Sequence, residues 1–159
     1  MTLKTLELAF EKIRDIINES PFYRHLGIKL VELSARGSEV AMEIRESLKS
    51  VYGRAHGGAI ASLADSACSL SLVTVIKENE TFATQSLEVY YLAQVEGGML
   101  KAKGWVVHKG RHSAVLEADI FDEAGRKVAH AHTVHVIRAL RGEEGDTFID
   151  KIRKSGGIK

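Results

Sequence analysis

His56-Gly57-Gly58-Ala59-Ile60-Ala61-Ser62-Leu63-Ala64-Asp65 opens a run that continues Ser66-Ala67-Cys68-Ser69-Leu70-Ser71-Leu72-Val73-Thr74-Val75-Ile76. From Gly57 to Ile76, Asp65 is the only charged residue. Burying a polar group without partners costs roughly 2–7 kcal/mol, and burying a charge costs more. A carboxylate retained in so apolar a segment therefore implies a use. The residues ahead of it suggest which one. Glycines at a helix start leave backbone N–H groups unpaired and open to an oxygen atom. An amide-rich helix end and a sheltered carboxylate are two parts of a hydrolytic site.

The spacing predicts a helix over 57–77. Ile60, Leu63, Ala67, Leu70 and Val73 or Thr74 form its apolar stripe, and Ser62, Asp65 and Ser69 share another, because residues three and four apart are neighbours. The acid thus faces a small, mildly polar surface. It also argues, with the serines at 62, 66, 69 and 71, for a buried helix rather than a bilayer span.

On the N-terminal side, Leu3, Leu6, Phe10, Ile13 and Ile17 recur at helical spacing over 3–18, and Ser20-Pro21 ends that amphipathic helix. Residues 28–34 read as a short strand. Ser38 to Glu46 alternates, with Val40, Met42 and Ile44 on one face. The loop 47–56 has no period. On the C-terminal side, strands are expected near 82–93, 98–108, 112–122 and 126–138. They are separated by the turns Glu96-Gly97-Gly98, Lys109-Gly110-Arg111 and Asp122-Glu123-Ala124-Gly125. Long antiparallel strands and one apolar helix define a two-layer α+β domain, its sheet wrapped around the helix. Residues 1–140 form one domain with the N-terminal helix (1–21) as an extension. The charged, Gly-rich tail 141–159 is expected to be loosely held, with one helical turn at 146–153.

The chain has 159 residues, 45% of them hydrophobic, enough for one domain with a core. A net charge of +1 gives no reason to expect nucleic acid. The single cysteine, Cys68, can form no intrachain disulfide, which favours a reducing cytoplasm. The N-terminus lacks the apolar core of a signal peptide. A soluble, cytoplasmic protein that does not bind membranes is expected.

His56-Gly57-Gly58 followed by Asp65 at a helix start, with two strands before and four after, resembles the hotdog-fold acyl-CoA thioesterases. The nearest group is the PaaI-like (phenylacetate-degradation) branch, and the likeness spans residues 22–138. It implies a sheet wrapped around the central helix, dimers paired edge to edge, and homotetramers built from them. An acyl-CoA would bind at the dimer interface, and no cofactor is needed because coenzyme A is part of the substrate. In such enzymes the amide matching Gly57 polarises the thioester carbonyl, and the aspartate matching Asp65 attacks it or activates water. A hydroxyl residue on the next strand, here Thr84, assists. The family often has an asparagine where this chain has Ser50. The turn Lys109-Gly110-Arg111 would lie near the coenzyme A nucleotide, whose phosphates need cations; Arg54 is a second candidate.

Helix geometry adds an independent argument. Asp65 lies eight residues beyond Gly57, about 12 Å along one helix. A reacting carbonyl must stand about 3 Å from both nucleophile and oxyanion donor. One helix cannot supply both, whereas two antiparallel helices across a two-fold axis can. The sequence thus predicts an oligomer if it predicts catalysis.

Plainer readings accompany each residue. Asp65 could be held by Ser62 or Ser69 for structure alone, Gly57 and Gly58 could serve close packing, and His56 could cap the helix. Of His130, His132 and His135, the first two share a strand face and the third falls on the other. Without accompanying Cys or acid clusters they read as ordinary surface or interface histidines, not metal ligands. Cys68 reads as a small buried hydrophobe. The pocket for an aryl or medium-chain acyl group is expected near Ser62 and Ser69. An acyl-CoA hydrolase is the leading function, and a non-catalytic acyl-CoA binding or sensing domain is the alternative. Hotdog-fold dehydratases use an Asp/His pair in a motif not found here.

Overall fold

A computed structural model describes residues 3–77 and 79–140, the side chains of 3–9 excepted. The tail 141–159 and its expected helical turn lie outside the described residues. Helix α1 (Leu3–Asn18) buries Ile13 and Ile17. The Asn18 side chain accepts a hydrogen bond from the Leu30 N–H at 2.9 Å, tying the helix to the sheet. Pro21 does not simply end this helix. It opens a second, α2 (Pro21–Leu26). Proline suits the first helical position because its fixed φ is already helical and its missing N–H would have been unpaired there.

Six strands follow, β1 (Lys29–Ser34), β2 (Gly37–Glu43), β3 (Glu80–Tyr91), β4 (Met99–Lys109), β5 (Ser113–Phe121) and β6 (Lys127–Ala139). They form one antiparallel sheet in the order β1-β2-β4-β5-β6-β3. Strand β5 shows why the sheet has an inside: Ala114, Leu116, Ala118 and Ile120 are buried in strict alternation. The turn before β6 is held by Asp122, whose Oδ1 accepts from the Ala124 and Arg126 N–H groups at 3.1 and 2.9 Å.

The central helix, α3 (Gly57–Val73), lies across the inner face of the sheet. It ends four residues earlier than the periodicity predicts. A β-branched run, Val73-Thr74-Val75-Ile76, weakens further helix, and Thr74 Oγ1 turns back to the Ser71 carbonyl at 2.8 Å. Ile60, Leu63, Ala67, Leu70 and Val73 are all buried, as the stripe implies. Helix and sheet come close at Gly104, where a β-carbon would stand 2.6 Å from the Ala67 carbonyl group. Ser38 adds a hydrogen bond to the Ala67 oxygen at 2.7 Å. Only glycine permits that approach. Among the described residues, no helix is long and apolar enough to cross a membrane.

Candidate active site

The start of α3 is set by His56, whose extended backbone (φ −67°, ψ 135°) precedes the first turn. Its Nδ1 accepts the Gly58 N–H at 2.9 Å, and its carbonyl oxygen takes the Ala59 N–H at 2.9 Å. His56 is therefore the N-cap. Gly58 spends its amide on that cap. The Gly57 N–H makes no hydrogen bond among the described residues, so it is the open donor of this helix end. The next peptide along is pinned: Tyr91 Oη donates to the Gly57 carbonyl at 2.8 Å. A β-carbon on Gly57 would meet the Tyr91 ring at 3.2 Å.

Asp65 is half-buried on α3 with Ser62 and Ser69 beside it, the face the spacing predicts. Neither serine holds it. Ser62 Oγ donates to the Gly58 carbonyl at 2.8 Å, and Ser69 Oγ stands 3.1 Å from His135 Nε2. The partner of Asp65 is Thr84, whose Oγ1 donates to Oδ1 at 2.9 Å. Oδ2 has no hydrogen-bond partner among the described residues. The reach of Thr84 comes from a β-bulge: the β3–β6 register shifts between Thr84 and Ser86. An extra residue lets Thr84 and Leu87, three apart, both face α3.

Asp65 lines a cleft of about 390 Å³. Ser62, Ser66 and Ser69 of α3 flank it, Leu87 of β3 closes one side, and Phe22 and Tyr23 of α2 close another. The contribution of α2 was not foreseen, since Pro21 read as a stop. Burial pushes the Tyr23 phenol up to about 12, against the opposing hydrogen bond with Ser66, so it stays neutral.

His135 corrects the sequence reading. It is no surface histidine but fully buried, with Nε2 3.1 Å from Thr84 Oγ1 and 3.1 Å from Ser69 Oγ. Its Nδ1 is buried without a hydrogen-bond partner among the described residues, and the ring meets Phe82 edge-on at 5.6 Å. Burial lowers its basicity below the ordinary imidazole value, while the Asp65 charge pulls it upward. The signal was its parity: 135 falls on the face opposite 130 and 132. His130 does lie on the outer face, its Nδ1 2.8 Å from Asp119 Oδ1. Cys68 is buried as expected, and burial raises its thiol to about 12.

The loop ahead of α3 folds on itself, the Ser50 N–H donating to the Arg54 carbonyl at 2.7 Å. Ser50 Oγ accepts from the Tyr52 N–H at 3.4 Å, and the Arg54 side chain is exposed. The His56 N–H bonds the Leu48 carbonyl at 2.8 Å, fastening this loop to the helix start. The turn Lys109-Gly110-Arg111 does not join the site within one chain. Lys109 Nζ pairs with Glu80 at 2.9 Å, at the start of β3, whereas Gly57 meets Tyr91 at its other end.

An antiparallel sheet in this strand order, wrapped around one central helix, is the hotdog architecture. The thioesterase superfamily model matches residues 52–129, and the chain belongs to that superfamily, a family of thioester hydrolases. The 1,4-dihydroxy-2-naphthoyl-CoA hydrolase of Listeria monocytogenes is 28% identical over 116 residues, covering 73% of this chain and 94% of that relative. ComA2 of Bacillus subtilis is 33% identical over 105 residues, covering 65% of this chain and 82% of its own. Among solved structures, a mutant of the phenylacetic acid degradation protein PaaI from Thermus thermophilus superposes with a TM-score of 0.68 at 28% identity. That match covers 74% of this chain and 98% of the other.

Proposed function

We propose that this chain hydrolyses the thioester of an aryl- or medium-chain acyl-CoA to free acid and coenzyme A. The observation that carries the reading is the pair formed by the unbonded Gly57 N–H and the cleft-lining Asp65 carboxylate. The thioester oxygen accepts from Gly57, and Asp65 either attacks the carbon or takes a proton from the attacking water. As the tetrahedral oxyanion forms, a preorganised amide donor is worth about 3 kcal/mol. The thiolate of coenzyme A then leaves; where Asp65 has attacked, water next hydrolyses the anhydride it forms, and neither route requires a metal or cofactor. The naphthoyl-CoA relative supports a CoA substrate, and the cleft beside Phe22 and Tyr23 suits the acyl group. Arg54, exposed in the loop fastened to the helix start, is suited to the nucleotide phosphates.

Both groups lie on α3, too far apart along its axis to meet one carbonyl. The site therefore takes Asp65 from one copy and Gly57 from a second. Two surfaces support a homodimer. Strand β3 is one of the two edges of the sheet and is exposed from Ala83 to Glu88. Val51 and Tyr52, at the tip of the loop ahead of Gly57, are 93% and 81% exposed. Pairing of such dimers gives the homotetramer, working in the cytoplasm.

The test is hydrolysis of a panel of CoA thioesters followed by free-thiol detection, wild type against Asp65→Asn. Turnover should fall by about two orders of magnitude or more while substrate still binds. Undiminished turnover in the variant overturns the assignment. Binding without turnover in the wild type identifies a sensor instead.

A further inference from the structure

The Thr84 hydroxyl has one proton and two polar neighbours. It stands 2.9 Å from Asp65 Oδ1 and 3.1 Å from His135 Nε2. Toward a carboxylate it can only donate, so toward the ring it must accept. That places a proton on His135 Nε2, where Ser69 Oγ at 3.1 Å shares the same N–H. The second ring nitrogen gives the same answer. His135 Nδ1 is buried with no partner among the described residues. An unused lone pair is tolerated in such a place far better than an unpaired N–H. Both nitrogens specify one neutral tautomer, set by the hydrogen bonds around it.

We propose that His135 is a positioning residue whose Nε2–H holds Thr84 as a donor to Asp65 Oδ1, leaving Oδ2 as the oxygen that reacts. The inference rests on the thioesterase reading and adds a direction to each bond in it. Were the ring protonated on Nδ1 instead, its Nε2 lone pair would compete with Asp65 for the single Thr84 proton. The carboxylate would then lose its only fixed partner among the described residues. His135 touches no substrate: it is fully buried, with Thr84 and Ser69 between its ring and Asp65.

One arm of the test needs no turnover. Proton–nitrogen NMR correlations on wild-type protein labelled with ¹⁵N-histidine identify the protonated nitrogen of His135. Nε2 is expected, and a proton on Nδ1 overturns the proposal whether or not any variant folds. The second arm compares His135→Gln, whose amide nitrogen reaches the place of Nε2, with His135→Asn, whose amide reaches only that of Nδ1. The Gln variant should keep kcat within about three-fold and the Asn variant should lose about ten-fold or more, with KM unchanged in both. Equal kcat in the two variants, or a change confined to KM, overturns the proposal. A wild type that hydrolyses no thioester sinks the enzymatic reading itself. An active wild type with the wrong tautomer, or one indifferent to the Gln/Asn choice, sinks only the role of His135.

Discussion

Tyr91 donates its hydroxyl proton to the Gly57 carbonyl at 2.8 Å, while its ring stands 3.2 Å from where a β-carbon on Gly57 would lie. One side chain thus fixes the first carbonyl of the helix and crowds the place that a side chain on Gly57 would take. Gly57→Ala should press on the Tyr91 ring, shift the helix start that offers the free amide and lower kcat about ten-fold or more, since small misplacements of the proposed oxyanion donor are costly. Tyr91→Phe removes only the hydrogen bond and should lower kcat several-fold. Steady-state hydrolysis with unfolding curves as a control checks both. Full activity in Gly57→Ala would show that this amide plays no part.

Division of the site between two copies has its own test. Asp65→Asn and Gly57→Ala proteins, each impaired alone, are unfolded together and refolded as a mixture. A mixed dimer then pairs an intact Asp65 with an intact Gly57 at one of its two sites. Random assortment in a two-fold dimer returns about a quarter of wild-type activity. A mixture no more active than its parents would mean that each chain builds its site alone.

The parts of this arrangement that follow a simple period were open to reading from the residues. Asp65 alone among apolar neighbours marks the site, and the 3.6 period puts Ser62 and Ser69 beside it. Alternation and turn chemistry place the strands within a few residues. Other parts depend on departures from period. The bulge at Gln85 brings Thr84 and Leu87 to one face, which strict alternation forbids. Pro21 serves equally as a helix stop and as a helix start, and only packing over the cleft decides between them. His135 shows its inward parity in the sequence, but that this face looks onto Asp65 is a matter of strand order. β6 lies next to β3 although 35 residues separate Tyr91 from Lys127.

Gly104 should tolerate no side chain. A methyl group there would stand 2.6 Å from the Ala67 backbone and 2.8 Å from Ser71 Oγ, so helix and sheet must part. Overpacking of this kind costs about 1–3 kcal/mol. Gly104→Ala should show that loss in denaturant or thermal unfolding. Unchanged stability would mean that α3 can lift from β4 without cost.

His135 also sets a pH dependence of stability. Burial lowers it from the ordinary value of 6.5, with the Asp65 charge opposing. The unfolded chain therefore binds a proton in a range where the folded chain does not. Its contribution to stability is full above the unfolded value and declines as pH falls through about 6.5 toward the lower folded value. His135→Gln removes the titration, so the Tm of the variant should gain on that of the wild type between about pH 7.5 and pH 5. Parallel Tm curves across that range would contradict the lowered basicity.

The contact of Gly104 with Ala67 divides the molecule into a wall that cannot yield and a wall that can. Where Gly104 leaves only backbone between β4 and Ala67, α3 has no slack toward the sheet, so no larger guest gains space by pushing the helix inward. In the proposed enzyme, room for a different acyl group has to come from Phe22, Tyr23 and Leu87, on elements that carry neither Asp65 nor Gly57. Diversification of substrate range, by evolution or by a protein engineer, can therefore proceed on one flank while the reacting groups stay where they are.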